Sequence, residues 1–251
     1  MPSGVVKVDR PRRPRGSLSR EQVVEAALAL TDEHGLEALT MPSLAGRLQC
    51  GVMTLYGYIE SKDDLLDAIA QRGLRDLRLP RPLPTEPQAV LVAWGRAIRL
   101  NLIDHPSLPM IFLSRAVIGP GILRGVEALL GLLGRAGMPA AAGIHAIYAV
   151  LTYSTGFVAW EVPRTRRQPP TVYEANWRQE YARMAPAEFP IAGGVIDELG
   201  RVAGEEQFEI GLAALAAGLA MLKSPKSSNA ARTAAAKDSA QKNAAPKRGK
   251  R

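Results

Sequence analysis

The chain has 251 residues and one cysteine, Cys50, so no intramolecular disulfide can form. That usage suits a reducing compartment such as the cytoplasm. It has three histidines, His34, His105 and His145, widely separated, with no H-E-x-x-H pattern and no paired Cys/His spacing. A metal site is therefore not expected. Neither a G-x-G-x-x-G turn nor a P-loop is present, so no cofactor and no catalytic residues are assigned. The charged N-terminus is not followed by an apolar run, which argues against a signal peptide. Few β-branched residues alternate with period two, so a sheet is not expected, and there is no internal repeat. Residues 136–160 carry no formal charge when His145 is neutral. That length would span a bilayer. However, Pro139, His145, Thr152, Tyr153, Ser154 and Thr155 interrupt it and no basic cluster flanks it. A helix buried between protein surfaces is expected, with no membrane contact.

What is abundant is positive charge, +8 overall. It is unevenly placed: residues 1–20 carry +5, residues 223–251 carry +8, and the stretch between them carries −5. Both ends are poor in large apolar residues and cannot offset their ordering entropy, so a disordered basic arm over 1–18 and a disordered basic tail over 223–251 are expected. Attraction of these ends to nucleic-acid phosphates competes with a simple solubilising role.

Between the tails the pattern is helical. Ser19 and Gln22 have capping-box spacing, Leu18 and Val23 can form the hydrophobic staple, and Gly35 marks a stop. Val23, Ala27 and Leu30 then share one face. Thr40 caps a second helix with Pro42 in its first turn, and Leu44, Ala45 and Leu48 point inward. Gln49-Cys50-Gly51 makes a turn, and Val52 to Ile59 a third helix. Ser61 caps a fourth, with Asp63 and Asp64 at its positive end and Leu65, Leu66 and Ile69 on its buried stripe. Residues 79–87, LPRPLPTEP, cannot continue a helix and mark a linker. The expected organisation is thus a domain over 19–78, a linker over 79–87, and a larger domain over 88–222. The larger domain reads as helices at 88–104, 107–115, 120–136, 139–161 and 204–222, with weaker signals near 171–184 and 193–200. Residues 162–170 read as a loop. The fold class is all-α.

Residues 40–59 have the form of a helix-turn-helix. Such a pair works because one helix braces the other across the phosphate backbone while the second presents its N-terminal side chains to base edges. The expected DNA-facing set is Gly51, Val52, Met53, Thr54 and Gly57 on the reading helix. Tyr56 and Tyr58 would reach the backbone, and Thr40 and Ser43 lie at the opening of the bracing helix. Lys62 combines a side-chain charge with the open N–H groups of a helix start, which suits a phosphate anchor. With Val52 and Met53 in place of Arg, Gln or Asn, thymine-methyl contacts and DNA shape carry more of the reading. Helices 139–161 and 204–222 are rich in Gly and Ala, which allow close helix approach, and a homodimer interface is expected there.

The segment from Ser19 to about Gly73 resembles the DNA-binding domain of the TetR (tetracycline repressor-like) transcriptional regulators. The features that carry the resemblance are the capped first helix ending in His34-Gly35, Leu39-Thr40-Met41, Leu44-Ala45, Leu48, Leu55-Tyr56, Ser61-Lys62 and Leu65-Leu66. Asp104-His105-Pro106, the helix end at Leu129–Gly137, Gly156-Phe157 and the Phe208-to-Leu222 helix are similar to the branch containing the tetracycline repressor. The resemblance implies a homodimer on a palindromic double-stranded operator, released by a small-molecule effector held in the larger domain. It matches Thr54, Tyr56, Tyr58 and Lys62 to DNA-contact positions. The chain departs from the family pattern at Gln49, where a glycine is usual, and strain there would be relieved by Gly51. It departs also at Gly57 and Tyr58. Ile111-Phe112-Leu113 replaces the histidine that holds magnesium with tetracycline, so no metal is expected. Asn101, His105, Phe112, Tyr148, Thr152 and Trp160 are candidate lining for a mostly apolar pocket. An architectural DNA-binding protein without an effector is the alternative.

Overall fold

The computed structural model describes residues 18–75, 77–165, 170–184 and 186–222. The basic segments at 1–17 and 223–251 lie outside the described residues, so the expectations placed on them are not addressed. The described residues form helices and no strand. In order these are α1 (Arg20–His34), α2 (Met41–Leu48), α3 (Val52–Leu55), α4 (Lys62–Arg75), α5 (Pro87–Asp104), α6 (Leu108–Ser114), α7 (Pro120–Arg135) and α8 (Ala140–Thr165). They continue with α9 (Pro170–Arg183), α10 (Pro190–Gly193), α11 (Ile196–Arg201) and α12 (Glu205–Ala220).

The starts and stops follow local chemistry. Ser19 and Gln22 form a reciprocal capping box on α1, and Thr40 and Ser43 do the same on α2. α1 ends at Gly35 with φ 85°. α4, α1 and α2 enclose Val23, Ala27, Leu44, Leu55, Leu65 and Ile69, all fully buried or nearly so. A proline-containing segment separates α4 from α5, as the sequence indicates. The two helical groups nevertheless share one continuous core, because Gly73 on α4 admits the Leu108 side chain of α6 at close approach. A Cβ on residue 73 would displace that leucine.

The larger group is organised around α8. This helix is long and apolar enough by composition to cross a membrane, yet it packs against α5, α6, α7 and α12. Gly95 of α5 meets Leu212 and Val150, and Gly211 of α12 meets the Tyr153 hydroxyl, which donates to the Phe208 carbonyl at 2.9 Å. Tyr153, Phe157, Trp160 and Phe208 form one aromatic cluster. Beside it Arg99 and Glu161 make a buried two-point ion pair at 2.6 and 3.2 Å, with the Arg99 guanidinium 5.2 Å from the Phe208 ring centre. So part of the small-residue content of α8 and α12 serves this intramolecular crossing.

Two elements differ from the sequence expectation. α3 is helical only over Val52–Leu55; Gly57 and Tyr58 then bond back three residues, to Thr54 and Leu55, as a tightened turn. Residues 162–165, expected as loop, continue α8 despite Pro163. Side chains add bonds to carbonyls of that last turn: Arg164 donates to the Trp160 carbonyl and Thr165 to that of Glu161. Residues 166–169 of that expected loop lie outside the described residues.

Candidate nucleic-acid interface and effector cavity

The turn between α2 and α3 fixes how the reading segment leaves the bracing helix. Cys50 N–H bonds to the Ala45 carbonyl at 3.0 Å and Gln49 N–H to that of Gly46 at 3.2 Å. This is the Schellman pattern, which requires a left-handed residue just past the helix. Gln49 is that residue, at φ 54° and ψ 42°, and it is the only non-glycine with positive φ among the described residues. Gly51, by contrast, is extended at φ −76°. The strain therefore sits on Gln49 and is not relieved at Gly51: the paired bonds at 49 and 50 fix the left-handed position before the chain reaches 51. The same pattern closes α7, where Gly137 at φ 91° occupies the left-handed position.

Past the turn, Leu55 is fully buried while Met53 is 81% and Tyr56 47% exposed. Thr54, Gly51 and Gly57 are also exposed, and Val52 is half-buried. Lys62, the first residue of α4, is exposed as well, and the N-terminus of α4 is capped by Ser61 Oγ accepting from Asp64 N–H at 3.0 Å. Tyr58 is set further in, packed against the core. Thr40 is exposed, but its hydroxyl and that of Ser43 are engaged in the α2 capping box. Ser43 Oγ also lies 2.7 Å from the Ala38 carbonyl.

Arg20 was missed by sequence reasoning. It reaches across to donate to both oxygens of Asp64, at 2.5 and 3.0 Å, and to the Tyr58 carbonyl at 2.7 Å. It thus ties α1 to the end of the reading segment and to α4 at once. The Arg20 hydrogen bonds hold the Asp64 carboxyl below its ordinary range, helped by the Glu60 N–H. Arg47, a cation near the turn, is paired with Glu33 at 2.6 Å through both amino groups. No sequence spacing signals either pair, since the partners lie on different helices.

α4 continues from Lys62 toward the larger domain. Arg115, after α6, pairs with Asp63 and Asp67 at 2.8 Å each. α1 is joined to the α5–α6 turn by Asp32, whose carboxylate meets His105 Nδ1 at 2.7 Å, Ser107 Oγ at 2.8 Å and Ser107 N–H at 3.3 Å. Thr31 Oγ1 lies 2.9 Å from Ser107 Oγ and 2.8 Å from the Leu28 carbonyl.

A cavity of about 520 Å³ lies beside the C-terminal half of α4, walled by α5, α7 and α8. Its wall includes Gln71, Leu74 and Arg75 from α4, Trp94 from α5, Ile122, Arg124, Val126 and Leu129 from α7, and Ile147, Tyr148 and Leu151 from α8. Of the six candidate lining residues, the structure places Tyr148 on this wall and the other five elsewhere. Asn101 is two helical turns beyond Trp94 on α5, with a buried Oδ1 lacking a hydrogen bond. His105 is in the Asp32 junction, Phe112 packs beside the core from α6, Thr152 is exposed, and Trp160 belongs to the aromatic cluster under Arg164. The wall contributions of α4 and α7 carry no sequence signal beyond amphipathic spacing, because the cavity depends on how the helices cross. Among the described residues no three His, Cys, Asp or Glu side chains come together as a metal site would need.

Comparison with known proteins gives two family matches. Residues 23–69 match the family described as bacterial regulatory proteins, tetR family, and residues 81–222 match the tetracyclin repressor-like C-terminal domain. An HTH-type transcriptional regulator of Saccharopolyspora erythraea is 30% identical over 189 residues, covering 74% of this chain and 78% of the relative. The HTH-type transcriptional repressor DrrR1 of Streptomyces coeruleorubidus is 34% identical over 149 residues, 59% of this chain and 55% of that one. Among solved structures, the Streptomyces coelicolor TetR family protein ActR in complex with actinorhodin superposes with TM-score 0.71 at 25% identity. That match covers 81% of this chain and 96% of ActR.

Proposed function

The chain belongs to the TetR family of bacterial regulatory proteins, and from that premise we propose that it is a cytoplasmic, effector-responsive repressor that binds a palindromic operator as a homodimer. The observation that carries this reading is the span of α4. Its first residue, Lys62, is exposed just past the helix-turn-helix, and its last turns, Gln71, Leu74 and Arg75, are a wall of the cavity. A molecule that fills the cavity bears on the same rigid element that presents the reading segment. Its 14 residues extend about 20 Å. The reading segment is short and apolar at Val52 and Met53, so each subunit makes few directional base contacts. Two copies on two half-sites supply the needed affinity.

The homodimer reading rests on the outer faces of α8 and α12. Ile210 on α12 and Met221 just past its end are exposed large apolar side chains, and Ala213, Ala214, Ala217 and Gly218 are small and exposed between them. A Cβ at Gly156 or Gly218 meets nothing within 4 Å, so these glycines serve no contact within the subunit. ActR was solved holding actinorhodin and DrrR1 is named a repressor; for this chain the parallel reading is a small, largely apolar effector that lowers operator affinity.

The test is selection of bound sequences from a random DNA pool with the full chain, followed by titration of the selected duplex. A two-fold symmetric site bound by two chains is expected, with Tyr56→Ala and Lys62→Ala each weakening it about tenfold at unchanged melting temperature. Binding without sequence preference, governed by salt alone, would favour an architectural DNA-coating role and overturn the repressor reading.

A further inference from the structure

We propose that the effector of this cavity is an organic anion: a flat apolar body carrying a carboxylate or comparably acidic group. The inference rests on the effector reading above and adds its charge. The wall is apolar along Leu74, Leu129, Leu132, Ile147 and Leu151, with the Trp94 and Tyr148 rings among them. Its ionisable side chains are Arg75 and Arg124, with the Tyr148 phenol; no aspartate or glutamate lines it. Elsewhere arginines 20, 47, 96, 99, 115 and 178 are held by carboxylates, and what sets this wall apart is that it brings two arginines together without an acidic side chain. Arg75 and Arg124 make no such ion pair among the described residues.

The hydrogen-bonding groups point the same way. Trp94 Nε1 is buried and makes no hydrogen bond among the described residues. An indole N–H can only donate. That atom is sealed from the cavity, so the polar side chains facing it are the two guanidinium groups, the Gln71 amide and the Tyr148 hydroxyl, a donor-rich set. A neutral hydrocarbon would leave these donors unpaired on desolvation, and a cation would add repulsion from both arginines. A flat anion satisfies the donors with its acidic group while its rings cover the leucines and the aromatic faces. Because Arg75 is on α4, the charge contact falls on the element that carries Lys62.

A matched probe series separates charge from shape: 2-naphthoate, methyl 2-naphthoate and 2-naphthyltrimethylammonium, titrated calorimetrically into the full chain. The expected order is anion, then ester, then cation, with the anion about tenfold tighter than the ester. Arg75→Gln and Arg124→Gln should each lower naphthoate affinity about five- to tenfold and leave the ester unchanged. Arg124→Glu should reverse the order. Both arginines are exposed and make no ion pair among the described residues, so these variants should fold. Gly125→Phe is the blocking control. Residue 125 is on the wall, and a Cβ there meets nothing within 4 Å, so the added ring enters space without a clash. Loss of all probe binding in Gly125→Phe together with the charge order supports the proposal. Equal affinity for anion and ester, abolished by Gly125→Phe, overturns the charge inference and leaves the effector reading standing. Binding untouched by Gly125→Phe overturns both.

Discussion

Replacing Asp32 by alanine removes the acceptor at the junction between α1 and the α5–α6 turn. The carboxylate receives three hydrogen bonds, from His105 Nδ1 at 2.7 Å, Ser107 Oγ at 2.8 Å and Ser107 N–H at 3.3 Å. The Asp32 side chain is only 16% exposed and that of His105 30%, so water replaces the lost partner incompletely. Hydrogen bonds to a charged acceptor contribute roughly 1.5–3 kcal/mol each when buried and less when solvent can reach them. Only two of the three bonds are short, and the imidazole retains access to water. The sum expected is about 2–3 kcal/mol of stability, or roughly 5–10 °C in melting temperature for a chain of this size. The assay is urea and thermal unfolding at equal protomer concentration, since any dimer links stability to concentration. Asp32→Asn keeps an acceptor for Ser107 and should lose about half as much. Ser107→Ala, combined with Asp32→Ala, should be non-additive by about 1 kcal/mol because the two share a bond. A loss below about 0.5 kcal/mol for Asp32→Ala, with strict additivity, would refute the assignment of this cluster as the tie between the domains.

Gln49→Gly should stabilise the chain by about 0.5–1 kcal/mol, because the Schellman closure of α2 needs a left-handed residue that Gly137 supplies for α7 without strain; a shift toward lower stability in urea would count against it. Arg20→Ala should destabilise near neutral pH and do so less as the solution is acidified. The sign follows from Asp64: its folded-state value is depressed by Arg20, so the pair's contribution is present above the ordinary carboxylate range. It is lost as pH falls through the lowered value. An Arg20→Ala penalty that stays constant through strong acid would show that Arg20 acts through its bond to the Tyr58 carbonyl alone.

The sequence made the helical ends legible because capping is local chemistry. Ser19 with Gln22, Thr40 with its following turn, Gly35 and Ser61 act within three or four residues of themselves. The outward residues of the reading segment were legible for the same reason: Leu55 faces the core, so its neighbours Thr54 and Tyr56 cannot. Gln49 was legible as an oddity, but its resolution was not, since the hydrogen bonds from 49 and 50 decide which residue takes the left-handed conformation. Of the cavity wall, Tyr148 was legible and the contributions of α4 and α7 were not. His105 and Trp160 are polar or aromatic residues in apolar surroundings and look like ligand groups, yet partners distant in sequence take them up. Asp32 lies on another helix, and Arg164 folds back over the ring within its own turn. The wall instead recruits aliphatic residues such as Leu74, Ile122 and Val126, whose composition is that of any helix interior.

α4 is held from two sides by contacts of unequal kind, and this bears on how small a signal can move it. On one side Asp64 is tied to Arg20 of α1; on the other Asp63 and Asp67 are tied to Arg115 beyond α6. The Asp63 side chain is 77% exposed, and its pair with Arg115 is of a sort that contributes about 0–1 kcal/mol. The deeper constraint is steric, the seat of Leu108 against Gly73 near the cavity end of the helix. A close approach of this kind limits translation toward α6, while tilt is opposed by the buried Leu65 and Ile69 and by the Arg20–Asp64 and Arg72–Glu25 pairs as well as by the outer pair. Under the proposed function, pressure on Gln71, Leu74 and Arg75 would be expected to shift Lys62 at the other end, by about 1–2 Å on the usual scale for such interface helices. The differential binding energy such a response would need is about 1–3 kcal/mol, the scale of one charge-assisted contact. Disturbing the Leu108 seat therefore has a different signature from removing the pair. Gly73→Ala should lower stability and weaken the response of DNA affinity to the effector together. Arg115→Ala should leave stability within about 0.5 kcal/mol and ease the response.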